Sequence, residues 1–259
     1  MVSDLSKTWP FLVIAWSVIL RPFVAAAADI HVMISGGLNA AVTQLAPEFE
    51  RATGHKILIA RGASMGSTPT AIPVRLSRGE PADILIMVGY SLSELAGQGK
   101  VIQESRVDLV RSPIGVAIRA GTPRPDISTV DGLRKSLLVA KSIAYSDSAS
   151  GVYVGGELFK KLGIEDQIKS KSRMIPGTPV AEIVAKGDAE IGFQRMSELL
   201  AVQGVDVIGP IPSEVQKITI FSAGLATQAK EPDAARAFIQ FLRLPSSAAM
   251  MAKTGLDPI

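Results

Sequence analysis

From Ile30 onward the chain repeats one pattern: a short apolar run, a Ser- or Gly-rich loop, then an amphipathic helix. Ile30–Ile34 reads as a strand ended by Ser35-Gly36-Gly37. Leu38–Ala52 reads as a helix with Leu38, Ala41, Val42, Leu45 and Phe49 on one face. Ile57–Ala60 is the next strand, followed by the loop Gly62–Thr68 and a helix carrying Ile72 and Leu76; Ile84–Val88 is a third strand. This β-α-β-α-β order predicts an α/β fold with parallel strands and helical crossovers. A second series follows in strand Ser142–Tyr145, loop Ser146–Gly151, helix Tyr153–Leu162, strand Lys171–Ile175, helix Pro179–Lys186 and strand Ile191–Phe193. Val107–Arg119 and Ile218–Ala226 read as two long strands between the blocks, and Pro232–Leu244 as a late helix. Two α/β blocks joined by two long strands predict two lobes, 29–110 with 218–259 and 111–217, around one cleft.

Composition narrows the chemistry that such a cleft performs. With no cysteine among 259 residues, disulfides, thiol catalysis and cysteine-held metals are excluded, and two histidines (His31 and His55) make a histidine metal site a poor expectation. No metal or cofactor is therefore expected. The net charge of +3, from 27 basic and 24 acidic residues, is too mild and too evenly spread for nucleic acid. The apolar run Trp9–Leu20 is shorter than the ~17–25 residues of a membrane span. Lys7 precedes it and Ala25–Ala28 follow, the layout of a secretory signal over 1–28. Loss of that segment removes Lys7, Arg21 and Asp4, leaving 25 basic and 23 acidic residues. An exported monomer is expected.

Ser35-Gly36-Gly37, Gly62–Thr68 and Ser146–Gly151 each lie at the carboxyl end of a strand and open a helix. Free N–H groups of a first helical turn and the positive end of its dipole attract an anion there, and hydroxyls add donors. Each loop alone is accounted for by helix capping. Three in two lobes point to an anion held without metal.

These residues resemble a family. Gly62-Ala63-Ser64-Met65-Gly66, Ala82-Asp83 after Gly79-Glu80-Pro81, the strand end at Ser35, and Gly187-Asp188-Ala189-Glu190-Ile191-Gly192 look like the periplasmic molybdate-binding proteins of ABC importers, over nearly all of 29–259. The resemblance implies a two-lobed type II periplasmic-binding fold, mostly parallel sheets with flanking helices and two hinge crossings. It also implies periplasmic location and, as partners, a small anion and the membrane subunits of an importer. By position Ser35, with Gly36 beside it, and Ser64, with Met65, match first-lobe oxyanion ligands. The segment Ser148–Tyr153, including Ser150, Gly151 and Tyr153, matches a second-lobe ligand segment. Molybdate binders place a tyrosine shortly after the position of Gly192; here the stretch reads Phe193-Gln194-Arg195, and Arg61 ends the second strand. Guanidinium forks match planar carboxylates two bonds at a time. Arg195 and Arg61, with Gln194 a further candidate ligand, therefore turn the expectation from molybdate toward an organic anion, so that the ligand is expected to be a molybdate-like oxyanion or a di- or tricarboxylate. Aconitate isomerase, similar in outline, keeps an enzyme in view.

The rival readings are weaker. Gly62–Gly66 fits the G-x-S-x-G elbow of a serine hydrolase, but that fold needs its histidine after the serine, and both histidines precede Ser64. A surface adhesion module has only the leader in its favour. His31 reads as a core residue and His55 as an exposed turn residue; Tyr90, Tyr145 and Tyr153 all fall at or beside the cleft loops. An isomerase needs an acid and a base within reach of its substrate. Spacing alone does not separate Glu198, Asp147, His31 and Tyr153, so capture of an anion ranks above catalysis and no catalytic residue is assigned.

Both tryptophans, Trp9 and Trp16, lie in the leader. A form cleaved after Ala27 or Ala28 is thus expected to emit only tyrosine fluorescence, and a tryptophan band in the secreted protein would show the leader retained.

Overall fold

The computed structural model describes residues 27–259. The leader expected over 1–28 falls outside them except for Ala27 and Ala28. The chain runs β1 (Asp29–Ile34), α1 (Gly36–Thr53), β2 (Lys56–Arg61), α2 (Ile72–Ser77), β3 (Ile84–Val88), α3 (Gly89–Gly97), β4 (Val107–Ser112) and β5 (Ile114–Arg119). It continues with α4 (Val130–Val139), β6 (Ile143–Ser146), α5 (Ala149–Tyr153), a π-helical stretch (Val154–Leu158), α6 (Phe159–Lys161), α7 (Glu165–Ile168), β7 (Ser172–Ile175), α8 (Val180–Lys186) and β8 (Ile191–Arg195). The remainder is α9 (Met196–Leu200), β9 (Val205–Pro210), β10 (Thr219–Leu225), α10 (Pro232–Leu242), α11 (Pro245–Lys253) and β11 (Asp257–Pro258).

Two sheets result, β11-β4-β10-β3-β1-β2 and β7-β6-β8-β5-β9. The crossover series pair parallel, β1 with β2 and β3, and β6 with β7 and β8. The strands adjoining the crossings add antiparallel pairs: β10 with β3 and β4, and β5 with β8 and β9. Each sheet is therefore mixed. β3 is buried along its whole length, as a central strand covered on both faces must be. Its alternate residues Ile84, Ile86 and Val88 join Leu38, Val42, Phe49, Phe238 and Leu242 in one core cluster, while Leu85 and Met87 meet Met33, Ile72, Leu92 and Leu95 in another. The helical face read from the sequence is the buried one, with Gly37 and Ala46 added to it. The second lobe packs Ile114, Val116, Leu133, Tyr153, Phe159 and Phe193 together.

The run Val107–Arg119 forms two strands in different sheets, and Pro113 divides them. Proline has no N–H for a ladder and restricts the residue before it, so one continuous central strand is disfavoured there. The chain leaves the first sheet at Ser112–Ile114 and returns between Pro210 and Thr219.

Arg195, 2% exposed, joins these two crossings. Its Nη1 donates to Ser112 O at 2.9 Å and to Lys217 O at 3.0 Å, and its Nη2 donates to the Thr219 hydroxyl. Gln216 adds a second tie: it accepts from Ile114 N–H and donates to Ile114 O, both at 2.9 Å. Burial pulls the Arg195 guanidinium down to about 10, still charged at neutral pH. Arg195→Met leaves two carbonyls and a hydroxyl without their donor, each worth about 1–3 kcal/mol when buried. A loss of about 3 kcal/mol in urea unfolding is expected; a loss below about 1 kcal/mol would show that the crossings do not depend on it.

Candidate functional site

A cleft of about 210 Å³ lies where the carboxyl ends of β1, β2, β6 and β8 meet. Ser35, Gly36 and Gly37 line it from the start of α1; Arg61 from the end of β2, and Ser64, Thr68 and Thr70 from the segment after it; Ser146 from the end of β6, and Asp147, Ser148 and Ala149 from the start of α5; and Gln194, Arg195 and Glu198 from β8 and α9. Gly177, Thr178 and Pro179 also line it, a fourth strand-to-helix loop of the same kind, after β7. Thr68 belongs to the Gly62–Thr68 loop expected from the sequence, whereas Thr70 and the Gly177–Pro179 loop lie outside the three expected loops, although Gly177-Thr178 carries the same signal.

Ser35 holds the N-cap position of α1 with extended dihedrals, yet its hydroxyl makes no cap bond. It is 5% exposed, and its hydroxyl has no hydrogen-bond partner among the described residues. A buried hydroxyl left so costs about 1–3 kcal/mol, which a ligand oxygen would offset. Beside it lie the unpaired N–H groups that open an eighteen-residue helix. Ser64 accepts from Val88 N–H at 3.0 Å, so its own proton is free for another acceptor. Ser148 caps α5 by position and shares a triangle of hydroxyl contacts with Ser146 and Ser150, at 2.8, 3.0 and 3.2 Å. Arg61 is exposed at the end of β2, and its guanidinium has no hydrogen-bond or ion-pair partner among the described residues.

Other positions read from the sequence lie elsewhere. Tyr153 is 3% exposed in the second-lobe core and donates to Val215 O at 2.6 Å. One turn into the helix, its ring points away from the cleft. Ser150 is fully buried behind Ser148, and Gly151 packs on Ser146, whose carbonyl lies 1.5 Å from where a Cβ would sit. Met65 turns outward to receive the Tyr90 hydroxyl at 3.8 Å. Tyr145 packs edge-on against Phe159. None of the three tyrosines lines the cleft. Arg195 does line it, but its fork is committed to the crossings. His31 lies at another cavity, its N–H on Asp83, and His55 is partly buried, its Nδ1 accepting from Ala28 N–H.

The four candidate bases are thereby separated: only Asp147 and Glu198 reach the cleft. Asp147 accepts from Gly177 N–H at 3.0 Å. Glu198 is the third residue of α9, close enough to the Arg195 N–H at the helix start for that group to favour its ionised form. Its neighbour Ser197 donates to Gly37 O at 2.6 Å, tying α9 to α1 across the two sheets. The carboxylate lies so close over Gly36 that a Cβ there would sit 2.0 Å from Oε1. Burial raises the Glu198 carboxyl above its ordinary range, against the opposing pull of Arg61, Arg195, the Gln194 amide and the Arg195 N–H. The cleft thus combines anion donors with a carboxyl shifted toward neutral pH, a proton acceptor beside an anion seat.

A raised folded-state pKa means that the ionised form penalises folding, so its contribution to stability falls as pH rises from the unfolded value through the folded one. Glu198→Gln has no such penalty. Thermal melts from pH 4 to 8 are expected to show the variant above the parent at pH 8, with the gap closing toward pH 4. A gap independent of pH would show that burial does not shift Glu198.

Among the described residues no group of three or more histidines and carboxylates is placed to hold a metal, and no helix is long and apolar enough to cross a membrane. The chain is 45% identical to an aconitate isomerase of Pseudomonas sp., covering 92% of each. It is 25% identical to the molybdate-binding protein ModA of Azotobacter vinelandii, covering 91% of this chain and 92% of that one. Its fold matches the periplasmic molybdate-binding protein structure from the same organism at a TM-score of 0.71, with 20% identity, covering 88% of this chain and 98% of the other. Residues 30–257 match the family described as bacterial extracellular solute-binding protein, and the chain belongs to that family.

Proposed function

We propose that this chain isomerises a small unsaturated tricarboxylate of the aconitate type by moving one proton along its allylic system. The observation that carries the reading is Glu198, a carboxyl raised by burial and lining a cleft beside Arg61, which has no partner among the described residues. A site that only captured an oxyanion gains nothing from a carboxylate among its donors, since like charges repel. The 45% identity with aconitate isomerase supports the same reading.

In the reaction Glu198 removes a proton from the methylene carbon that bears a carboxylate. The electron pair of that C–H bond becomes the new C=C bond. The old π pair forms a C–H bond at the far carbon with the proton that Glu198 returns, so no atom or electron is gained or lost. Arg61 holds a carboxylate by paired hydrogen bonds and stabilises the charge that develops on it. The N–H groups opening α1, with the hydroxyls of Ser35, Ser64 and Ser148, seat the remaining carboxylates. The substrate lies between lobes 29–110 with 218–259 and 111–217, in a protein exported to the periplasm.

A second reading, capture of an anion for an importer, is favoured by the neutral donors at Ser35 and Ser64 and by the molybdate-binding relatives. Incubation of purified protein with cis-aconitate, followed by proton NMR, tests the two. The isomerase reading expects trans-aconitate to accumulate, and a loss of at least about 100-fold in rate for Glu198→Gln, the usual scale of acid–base catalysis. The variant is expected to keep its thermal stabilisation by aconitate, about 2.7 kcal/mol at 100 times the dissociation constant. Tight binding of molybdate or of aconitate by the parent protein with no interconversion would overturn the isomerase in favour of capture.

A further inference from the structure

Gln194 is 3% exposed and sits on β8 between the cleft and α8. Its Oε1 accepts from the Val180 N–H at 2.8 Å, and its Nε2 donates to Glu198 Oε1 at 3.0 Å. Val180 opens α8, so its N–H has no partner within the helix, and Pro179 before it has no side chain that caps. An N–H only donates. The oxygen of the Gln194 amide must therefore face Val180, and the NH₂ group is left facing Glu198. A backbone group thus fixes which end of the amide meets the carboxylate. Of the side chains of this length, glutamate would offer Val180 its acceptor and Glu198 no donor, methionine neither, and lysine only a donor.

We propose that Gln194 is the positioning residue of the base: its amide, oriented by the Val180 N–H, clamps the Glu198 carboxylate over the cleft. The inference rests on the reading of Glu198 as the base. The charged groups facing Glu198 are Arg61 from the end of β2 and Arg195 from β8; α1 presents uncharged Gly36, and Asp147 lines the same cleft from the start of α5. Both arginines hold the carboxyl down, as the amide does, against burial. Of these, only the amide can be exchanged for a neutral or acidic group of nearly the same shape without changing the cationic charge of the site.

The test follows the Glu198 carboxyl directly, by carbon NMR on protein labelled at glutamate, with the resonance assigned by its absence in Glu198→Gln. Gln194→Met removes the donor without adding charge, and Gln194→Leu, also uncharged, serves if the first does not fold. Each is expected to move the Glu198 titration upward by about one unit. The acid limb of kcat/KM for aconitate should move by the same amount, with kcat lowered at least about tenfold at neutral pH and KM changed less than about threefold. Titrations of the folded variant coinciding with the parent within about 0.2 unit would overturn the clamp, because a side chain needed only for packing does not move that carboxyl. If the parent protein fails to isomerise aconitate while the titration shift stands, the proposed reaction falls, and the clamp on Glu198 holds.

Discussion

Two sheets linked by two lengths of chain form a cleft only if those lengths hold a fixed relation to one another. In this protein one guanidinium supplies much of that relation. Arg195 reaches Ser112 O on the outgoing crossing and Lys217 O and Thr219 on the return, and it is buried while doing so. A planar group with five donors in fixed directions suits this task, because it can serve three acceptors at once without adjusting its shape. Gln216 repeats the arrangement on a smaller scale by binding both backbone groups of Ile114. The sheets are tied through acceptors that the backbone must satisfy in any case.

That tie also sets the chemistry of the cleft. Arg195 ends β8, and α9 begins with the next residue. Whatever fixes Arg195 therefore fixes Glu198 a turn later and Gln194 one residue earlier. The Ser197 bond to Gly37 then presses α9 onto the start of α1, where Gly36 alone allows so close an approach. The arginine that resembles a ligand fork is spent on architecture, while the carboxylate three residues on lines the cleft. Arg61, whose guanidinium has no hydrogen-bond or ion-pair partner among the described residues, lines the same cleft.

Much of this was legible because local pattern and global fold agree. Alternating apolar runs and helical faces mark β1 to β3 and α1 with boundaries within two residues, and Ser/Gly loops at strand ends mark most of the cleft wall. Pro113 also stood in view within the run read as one strand, and its missing N–H is the reason that run divides. The harder residues are those whose role depends on partners distant in sequence. Tyr153 looks like a cleft phenol until Val215, 62 positions on, is seen to accept its proton. Arg195 looks like a ligand group until Ser112, 83 positions back, is brought beside it. Glu198 was one of four undistinguished acids and bases, and only burial and the nearness of Gly36 set it apart.

The triangle of Ser146, Ser148 and Ser150 carries a consequence of its own. Three hydroxyls in mutual contact hold three protons, and each gives one and takes one, so the ring can be ordered in either of two rotational senses. When Ser148 turns its proton outward to an incoming oxygen, the ring opens, and the two protons that remain can fill only two of its three sides. The longest side, 3.2 Å between Ser148 and Ser150, is the cheapest to give up. Any oxygen that accepts from Ser148 is thus felt at Ser146 and Ser150, whose two protons are left to serve what three had served.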